Sequence, residues 1–486
     1  MIGTARTQRV PGDAADVDVL VVGGGISGLA TAWWLQREGI TVELWERDAR
    51  PGGKIRTDAA GGYVSERAAA LMMNFRPEVT QLLAESGLDA AKAPRSAGAA
   101  RRYLVEQGRL VAVPTAMGAM LGSPLWSARG RLRVLLEPFV PRGGHAGETV
   151  SEFVSRRLGR ELLEKAMEPF IAGPLASDPD RAEARATLPR LKALEQRYGS
   201  IAAGVLVHKL LGRRTAHPTE TFSFEGGMAT LIRVLAATPG VRLRAGRAAT
   251  GLEPRASTWR VTGCGAQGEC AVSARHVVLG VPASAAAQLL VPVDRELAGL
   301  LRGIEYAPLV VVHLGLPRPA IEHPLDGAGF LVPRREGLPL NGNLWMSSLF
   351  PGRAPEGYAL LTSYLGGARR PQAFDWDEER AISTVLATLK PLLNIGGTPA
   401  IARIHRHRYA LPLYHGDYLG RLAAIDARLS PLPGLHLVAN YRGGVSVRDR
   451  IACGRAAAGS IATALGKRPS ATVDAQSSPA LGAATA

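Results

Sequence analysis

Gly23, Gly25, Gly28 and Glu46 are the residues whose types and spacing speak most directly of chemistry. In G-x-G-x-x-G spacing the first glycine makes a tight turn and the second lets backbone approach a phosphate. The third lets a helix pack close against a strand. A carboxylate one strand further on is an acceptor for paired hydroxyls such as those of a ribose. The elements that must position these groups surround them. The run "DVDVLVVGGG" is apolar, β-branched and ends in glycine, which predicts a buried parallel strand. A helix opening near Ile26 and Ser27 runs through "LATAWWLQRE" and stops at Gly39. Its first N–H groups and positive dipole end face the glycine turn. The segment "TVELWE" then forms a second strand ending on Glu46. Strand, glycines, helix, strand and acid in this order predict a dinucleotide cradle whose acid disfavours a 2′-phosphate. No G-K-[ST] follows, so a nucleotide-triphosphate loop is excluded.

What comes next separates one dinucleotide from another. The stretch "ERDARPGGKIRT" sets Arg47, Gly52, Gly53, Lys54, Ile55, Arg56 and Thr57 directly after the acid. Further glycine and further positive charge suit a longer, doubly anionic cofactor that threads into the protein. Here the sequence resembles the flavin-dependent oxidase group that includes amine oxidases, phytoene desaturases and protoporphyrinogen oxidases. The resemblance implies FAD, with the second glycine pair and Arg56 at the phosphates and ribityl chain. It also implies that "VRLRAGRAATGLEP" offers the backbone of Ala249 to the adenine. Near the end, "GLHLVANYRGGVSVRDRIACG" reads as a strand, a glycine turn and a helix from about Arg448. By resemblance Asn440, Gly444, Val445 and Val447 stand at the flavin, and a helix N-terminus there would stabilise charge on the reduced ring. No Cys or His occupies a recognised attachment position, so the flavin is expected to be non-covalent.

The middle of the chain carries the substrate information. "EPFIAGPLASDP", "LKALEQRYGSIAAG" and the run from Gly327 to Gly367, with F-L-V-P and S-S-x-F-P-x-R-A-P, resemble the protoporphyrinogen oxidases. The resemblance implies oxidation of a porphyrinogen to a porphyrin, with hydride transfer to flavin N5, dioxygen as acceptor and hydrogen peroxide as product. The pathway is tetrapyrrole synthesis, and a ferrochelatase is the implied recipient of the product. By resemblance Arg102, in "RRYLVEQGRLVAVP", binds a substrate propionate; a planar guanidinium suits a carboxylate through two parallel N–H donors. Its neighbour Arg101 remains open for the same role. Leu331, Met346, Leu349 and Phe350 lie on alternating, strand-like stretches and are either pocket walls or simple core. No Ser-His-Asp set, paired carboxylates or metal cluster stands out, so no catalytic side chain and no metal is assigned. One departure concerns the segment after Glu66. The family commonly has Gly-Pro and a polar residue there, whereas this chain has Ala68, Ala69 and Ala70.

Organisation follows from these segments. The fold class expected is α/β: a Rossmann-like FAD-binding domain interleaved with an α+β substrate domain built on an antiparallel sheet, plus a helical subdomain. The FAD-binding domain is expected over 16–90, 221–290 and 420–467, the helical subdomain over 91–220 and the substrate domain over 291–419. Residues 1–15 and 468–486 are expected to be flexible, the latter small and polar with no core-forming residues. The formal net charge of +16 suits an anionic partner, or else reflects an arginine-rich coding bias. No nucleic-acid motif accompanies it. The 3 cysteines form no pairing pattern, and no secretion signal or membrane-spanning run is present, so a cytoplasmic site is expected. Between Pro114 and Gly144, Met, Leu, Trp126 and Phe139 mix with Arg129, Arg131 and Arg133. That stretch is either a peripheral contact with the inner face of the cell membrane or a core helix with snorkelling arginines. Two other readings compete: coproporphyrinogen III as substrate, or an amine oxidase or carotenoid-type desaturase. The absence of lysine between Lys209 and Lys390, where amine oxidases place one near the flavin, weighs against the latter. A protein that binds FAD without turnover remains open as well.

Overall fold

The computed structural model describes residues 15–114, 123, 125–210 and 219–467. The expected flexible termini therefore lie outside the described residues, save residue 15, as does most of 115–124. The chain is a mixed α/β protein in which two seven-stranded sheets share the work. In the first, strands Val241–Ala245, Val42–Glu46, Val17–Val22 and the end of Gly268–Leu279 run parallel, with Val21 opposite both Leu44 and Val278. The long strand Gly268–Leu279 then pairs antiparallel with Trp259–Gly265, which pairs with Ala248–Pro254. Leu435–Leu437 joins its C-terminal end in parallel. The central strands are valine- and leucine-rich because both faces are covered, so they cannot alternate with polar residues.

On one face lie the helix Ile26–Arg37 and the last helix, Val447–Ala464, packed over Val19, Val21, Leu29, Trp34, Ile451 and Ile461. These two helices touch closely: a Cβ on Gly454 would stand 2.9 Å from Thr31 N. The other face is closed by helices Ala283–Leu290, Arg295–Arg302 and Tyr418–Leu429 over Leu20, Val22, Val277 and Leu279. Fully burying each such aliphatic side chain contributes about 1.5–3 kcal/mol before chain entropy is counted. The helix Arg295–Arg302 thus packs on the first sheet, although its sequence lies inside the stretch expected to form the substrate domain.

The second sheet runs Ile401–Pro412, Tyr306–Pro317, Tyr358–Gly366, Leu340–Trp345, Gly327–Leu331, Arg101–Glu106, Arg109–Ala112. Every pairing is antiparallel except Gly327–Leu331 with Arg101–Glu106, which is parallel. Residues 101–112 were expected within the helical stretch, and their place at the sheet edge corrects that boundary. The reason lies in the alternation: Tyr103 and Val105 turn inward onto Trp345 and Leu361, which a helix period could not do. Helix Glu378–Leu393 covers the same face with Val385 and Leu389.

The helical part comprises Ala128–Leu135, Val150–Leu158, Glu168–Ala172, Pro189–Tyr198 and Ile201–Leu210, among shorter turns. Phe153, Val154, Ile171 and Ile201 form its core. A fully buried Glu137–Arg157 ion pair locks it, and Glu137 also accepts N–H bonds from Ile201 (2.9 Å) and Ala202 (3.0 Å) at the helix start. Those extra donors are what let a carboxylate stay ionised without solvent.

Candidate active site

At the first glycine turn, φ at Gly23 is +105°, and a Cβ there would stand 2.9 Å from Gly280 O. A Cβ on Gly28 would stand 1.9 Å from Gly23 O, so this position admits glycine alone. Above Gly25 a Cβ would meet nothing within 4 Å. The cradle is closed below and open where a pyrophosphate would lie. The helix begins at Gly25 with no side-chain cap, leaving the first N–H groups, those of Ile26, Ser27 and Gly28, to an anion. The second glycine pair is laid against the first: Gly52 N donates to Gly24 O at 2.7 Å, and a Cβ on Gly53 would stand 3.5 Å from Gly25 Cα. These features fit a dinucleotide cofactor.

Glu46 is buried beneath the turn, its Oε2 accepting from Gly24 N at 2.6 Å and its Oε1 from Asp48 N at 2.8 Å. Two backbone donors fix the carboxylate in one orientation, ready for a hydroxyl on its remaining lone pairs. Arg247 N donates to Glu46 O and Gly246 N to Asp48 O, which brings the strand of Ala249 beside the acid. Arg56 is held at the same loop by Asp48 (2.8 Å) and Gly53 O (3.2 Å), whereas Arg47 is largely exposed and lies 3.6 Å from Asp48. Glu46→Ala should weaken FAD retention roughly 5- to 150-fold, the equivalent of losing hydrogen bonds worth about 1–3 kcal/mol to a bound hydroxyl pair. Equilibrium dialysis showing unchanged affinity would remove Glu46 from the site.

Three expected residues take parts that spacing alone does not reveal. Lys54 turns away from the glycine loop: its Nζ donates to Ala410 O at 2.8 Å and lies 5.8 Å from the Tyr306 ring centre. Burial pulls this ammonium down to about 8. Thr57 donates to Glu66 Oε2 at 2.7 Å and accepts from Ala229 N at 3.0 Å, at the start of helix Ala229–Ala236. Asn440 accepts from the Tyr306 hydroxyl at 3.4 Å, and that hydroxyl also accepts from Ala283 N. Burial pushes the Tyr306 phenol up to about 12, so it stays a donor. Gly444 (φ +104°) and Val445 form the turn before Ser446, whose side chain caps the helix starting at Val447.

The sequence reading missed the cluster that ties this loop to the second sheet. Arg353, buried, bonds Glu66 Oε1 at 2.7 Å and also reaches the Ser223 hydroxyl. Glu66 accepts further from Met228 N at 2.9 Å. Burial nevertheless raises the Glu66 carboxyl above its ordinary range, with Arg353 pulling it back. Arg353 is the arginine of the S-S-x-F-P-x-R-A-P run, which was the signal available for it.

On strand Arg101–Glu106 of the second sheet the two adjacent arginines part company. Arg101 pairs with Asp326, which also accepts from the Tyr103 hydroxyl at 2.6 Å. Arg102, on the opposite face, is exposed and has no side-chain partner among the described residues. Its face continues through Leu104, which packs with Leu125, Trp126 and Leu331. Leu331 also reaches the helical part, since a Cβ on Gly173 would stand 2.5 Å from Leu331 Cδ2. Met346 and Phe350 lie elsewhere. The strand ends at Trp345 and becomes a short helix, Met346–Leu349, which turns both side chains into a closed core with Tyr63, Ala70 and Leu360. They are core residues, apart from Leu331, because the alternation they were read from breaks at Trp345. At the unusual segment, Ala70 is buried and its carbonyl accepts from the Ser223 hydroxyl at 3.2 Å. Residues 68–70 present only methyl groups.

Residues 26–462 match the family described as flavin containing amine oxidoreductase. The chain belongs to that family. It is a flavin-dependent oxidoreductase, and its cofactor is FAD. Protoporphyrinogen oxidase 2, chloroplastic/mitochondrial, of Arabidopsis thaliana is 30% identical over 472 residues, covering 90% of this chain and 92% of the relative. The coproporphyrinogen III oxidase of Bacillus subtilis (strain 168) is 26% identical, covering 90% and 96%. Among solved structures, a protein of Exiguobacterium sp. 255-15 superposes with a TM-score of 0.78 at 23% identity, over 93% of this chain and 99% of that one. Putrescine oxidase bound to putrescine gives 0.66 at 18% identity, over 92% and 99%. These structures share the fold, an FAD-binding α/β domain interleaved with a second sheet.

Proposed function

We propose that the protein oxidises protoporphyrinogen IX to protoporphyrin IX, with dioxygen as acceptor and hydrogen peroxide as product. The observation that carries this reading is the match, over nine-tenths of both chains, to a plant protoporphyrinogen oxidase. FAD supplies the two-electron acceptor. The protein's own groups position the substrate and exclude water. Arg102 offers to a propionate a guanidinium with no side-chain partner among the described residues, and Leu331 with Trp126 offers an apolar wall to the macrocycle. No side chain in 68–70 can carry a proton, which suits a reaction driven by product aromaticity rather than by acid–base help. The second reading is coproporphyrinogen III, supported by the Bacillus subtilis relative.

The same reading includes a peripheral membrane contact at the cytoplasmic face, where a greasy substrate partitions. No described helix is long and apolar enough to cross a membrane. What supports a surface contact is the clustering of exposed apolar side chains on two adjoining segments. Leu132, Leu135 and Phe139 stand on one, and Leu206 and Leu210 on the other; Phe139 is 81% exposed. Arg129 and Lys209, both exposed, stand on the same two segments, as anionic lipid would require. Phe139→Ser combined with Leu210→Ser should cut co-sedimentation with anionic vesicles several-fold. Undiminished sedimentation would discard this contact.

Oxygen uptake by the purified protein, with protoporphyrinogen, coproporphyrinogen and a panel of amines, tests the function. Porphyrin fluorescence rising with oxygen consumption is expected. Turnover of amines alone would overturn the reading.

A further inference from the structure

Two guanidinium groups from different parts of the fold stand over the Phe75 ring. Arg190, on helix Pro189–Tyr198 of the helical part, and Arg448, one residue past Val447 at the flavin-side turn, each stand 4.4 Å from the Phe75 ring centre. Arg76 joins them from the next position in the chain. Arg448 is anchored by a bond to Met73 O at 2.9 Å. Among the described residues, Asp449 is the one acid paired with any of the three, at 3.2 Å from Arg76 and 3.6 Å from Arg448. Two cations on one ring, with Arg76 close enough to act on Arg448, against one acid is a costly arrangement without an anion, because stacking on the ring does not cancel like-charge repulsion. The repulsion registers at Arg448. Burial draws its guanidinium below the usual arginine range, and Arg76 and Arg190 add to this against the pull of Asp449. Its Nε, enclosed by protein, makes no hydrogen bond. Arg190 is exposed, so the cluster opens to solvent along the seam between the helical part and the last helix.

We propose that Arg190 and Arg448, stacked on Phe75, together with the adjacent Arg76 form a second carboxylate-binding site that takes a propionate of the tetrapyrrole, separate from Arg102. The site rests on the porphyrinogen reading for the identity of its ligand. Its chemistry is that of guanidinium N–H donors, whose charge-assisted hydrogen bonds suit a carboxylate.

The test uses the full-length FAD-loaded protein and does not depend on turnover. Binding of coproporphyrin III and of its tetramethyl ester, in the same detergent, is followed by quenching of porphyrin fluorescence. Arg190→Ala and Arg448→Ala, singly and together, are compared with wild type after FAD content and thermal midpoint are checked. The double variant is expected to weaken the free acid by about 10-fold or more while leaving the ester unchanged. Equal affinity of wild type and double variant for the free acid would overturn the site, as would equal weakening of acid and ester. Should Arg448→Ala lose FAD, Arg190→Ala alone decides, since that residue lies outside the cofactor domain; an unchanged free-acid affinity then overturns the site. Failure of the porphyrinogen reading shows separately, as absence of oxygen uptake with either porphyrinogen.

Discussion

Arg102→Ala should lower kcat/KM for porphyrinogen oxidation roughly 30- to 1000-fold, while FAD content and the flavin spectrum stay normal. The expectation follows from the contrast between neighbours. Arg101 already spends its charge on Asp326, and Arg102 has no such partner among the described residues. A substrate carboxylate that loses its guanidinium is left partly desolvated and unpaired, at a cost on the order of 2–4 kcal/mol. With about 1.4 kcal/mol per tenfold in rate, that range gives the predicted loss. Arg102→Lys should recover only part of it, because a point charge cannot reproduce a planar fork. Arg101→Ala is the control: it should cost stability at the sheet edge, through Asp326 and Tyr103, and little turnover. Equal losses for the two alanine variants, or wild-type turnover by Arg102→Ala on every porphyrinogen tried, would refute the assignment.

The largest effect on stability is expected at Arg353. Arg353→Met should destabilise the protein by about 3–5 kcal/mol, the range for stranding one member of a buried ion pair. The group stranded is Glu66, which is almost wholly enclosed and whose remaining partners are Thr57 and the N–H of Met228. Its folded carboxyl already titrates above the ordinary value, and removing Arg353 raises it further. A carboxyl raised in the folded state favours folding at acid pH, below its unfolded value, and withdraws that support as pH rises through the folded value. The deficit of Arg353→Met should therefore be largest near neutral pH and shrink towards pH 4. Glu66→Gln in the same background should restore part of the loss, since a neutral amide needs no counter-charge. Thermal unfolding across that pH range checks both statements. A deficit that does not change with pH would mean that Arg353 acts by packing on Phe350 and not by its charge.

The family and the cofactor were legible from the sequence because they depend on local rules. A strand entering a glycine turn, a helix leaving it and an acid ending the next strand sit within thirty or so residues, and Gly28 can be nothing larger against Gly23 O. The long valine-rich strands and the C-terminal glycine turn were readable for the same reason. Pairings across hundreds of residues were not. Nothing local to Arg353 announces that it meets Glu66, and nothing local to Arg101 and Arg102 says which of them finds Asp326. Met346 and Phe350 obeyed a strand pattern until Trp345, where the chain coils into a helical turn and buries both in a core. Phe75, Arg190 and Arg448 come from three distant segments, and only the tertiary packing brings the two guanidinium groups onto one ring. The sequence by itself determined what this protein holds, since a cofactor cradle is written in neighbouring residues. Which of two neighbouring arginines is left available was decided by the tertiary structure, because a guanidinium is engaged or free according to whether a distant acid folds within reach of it.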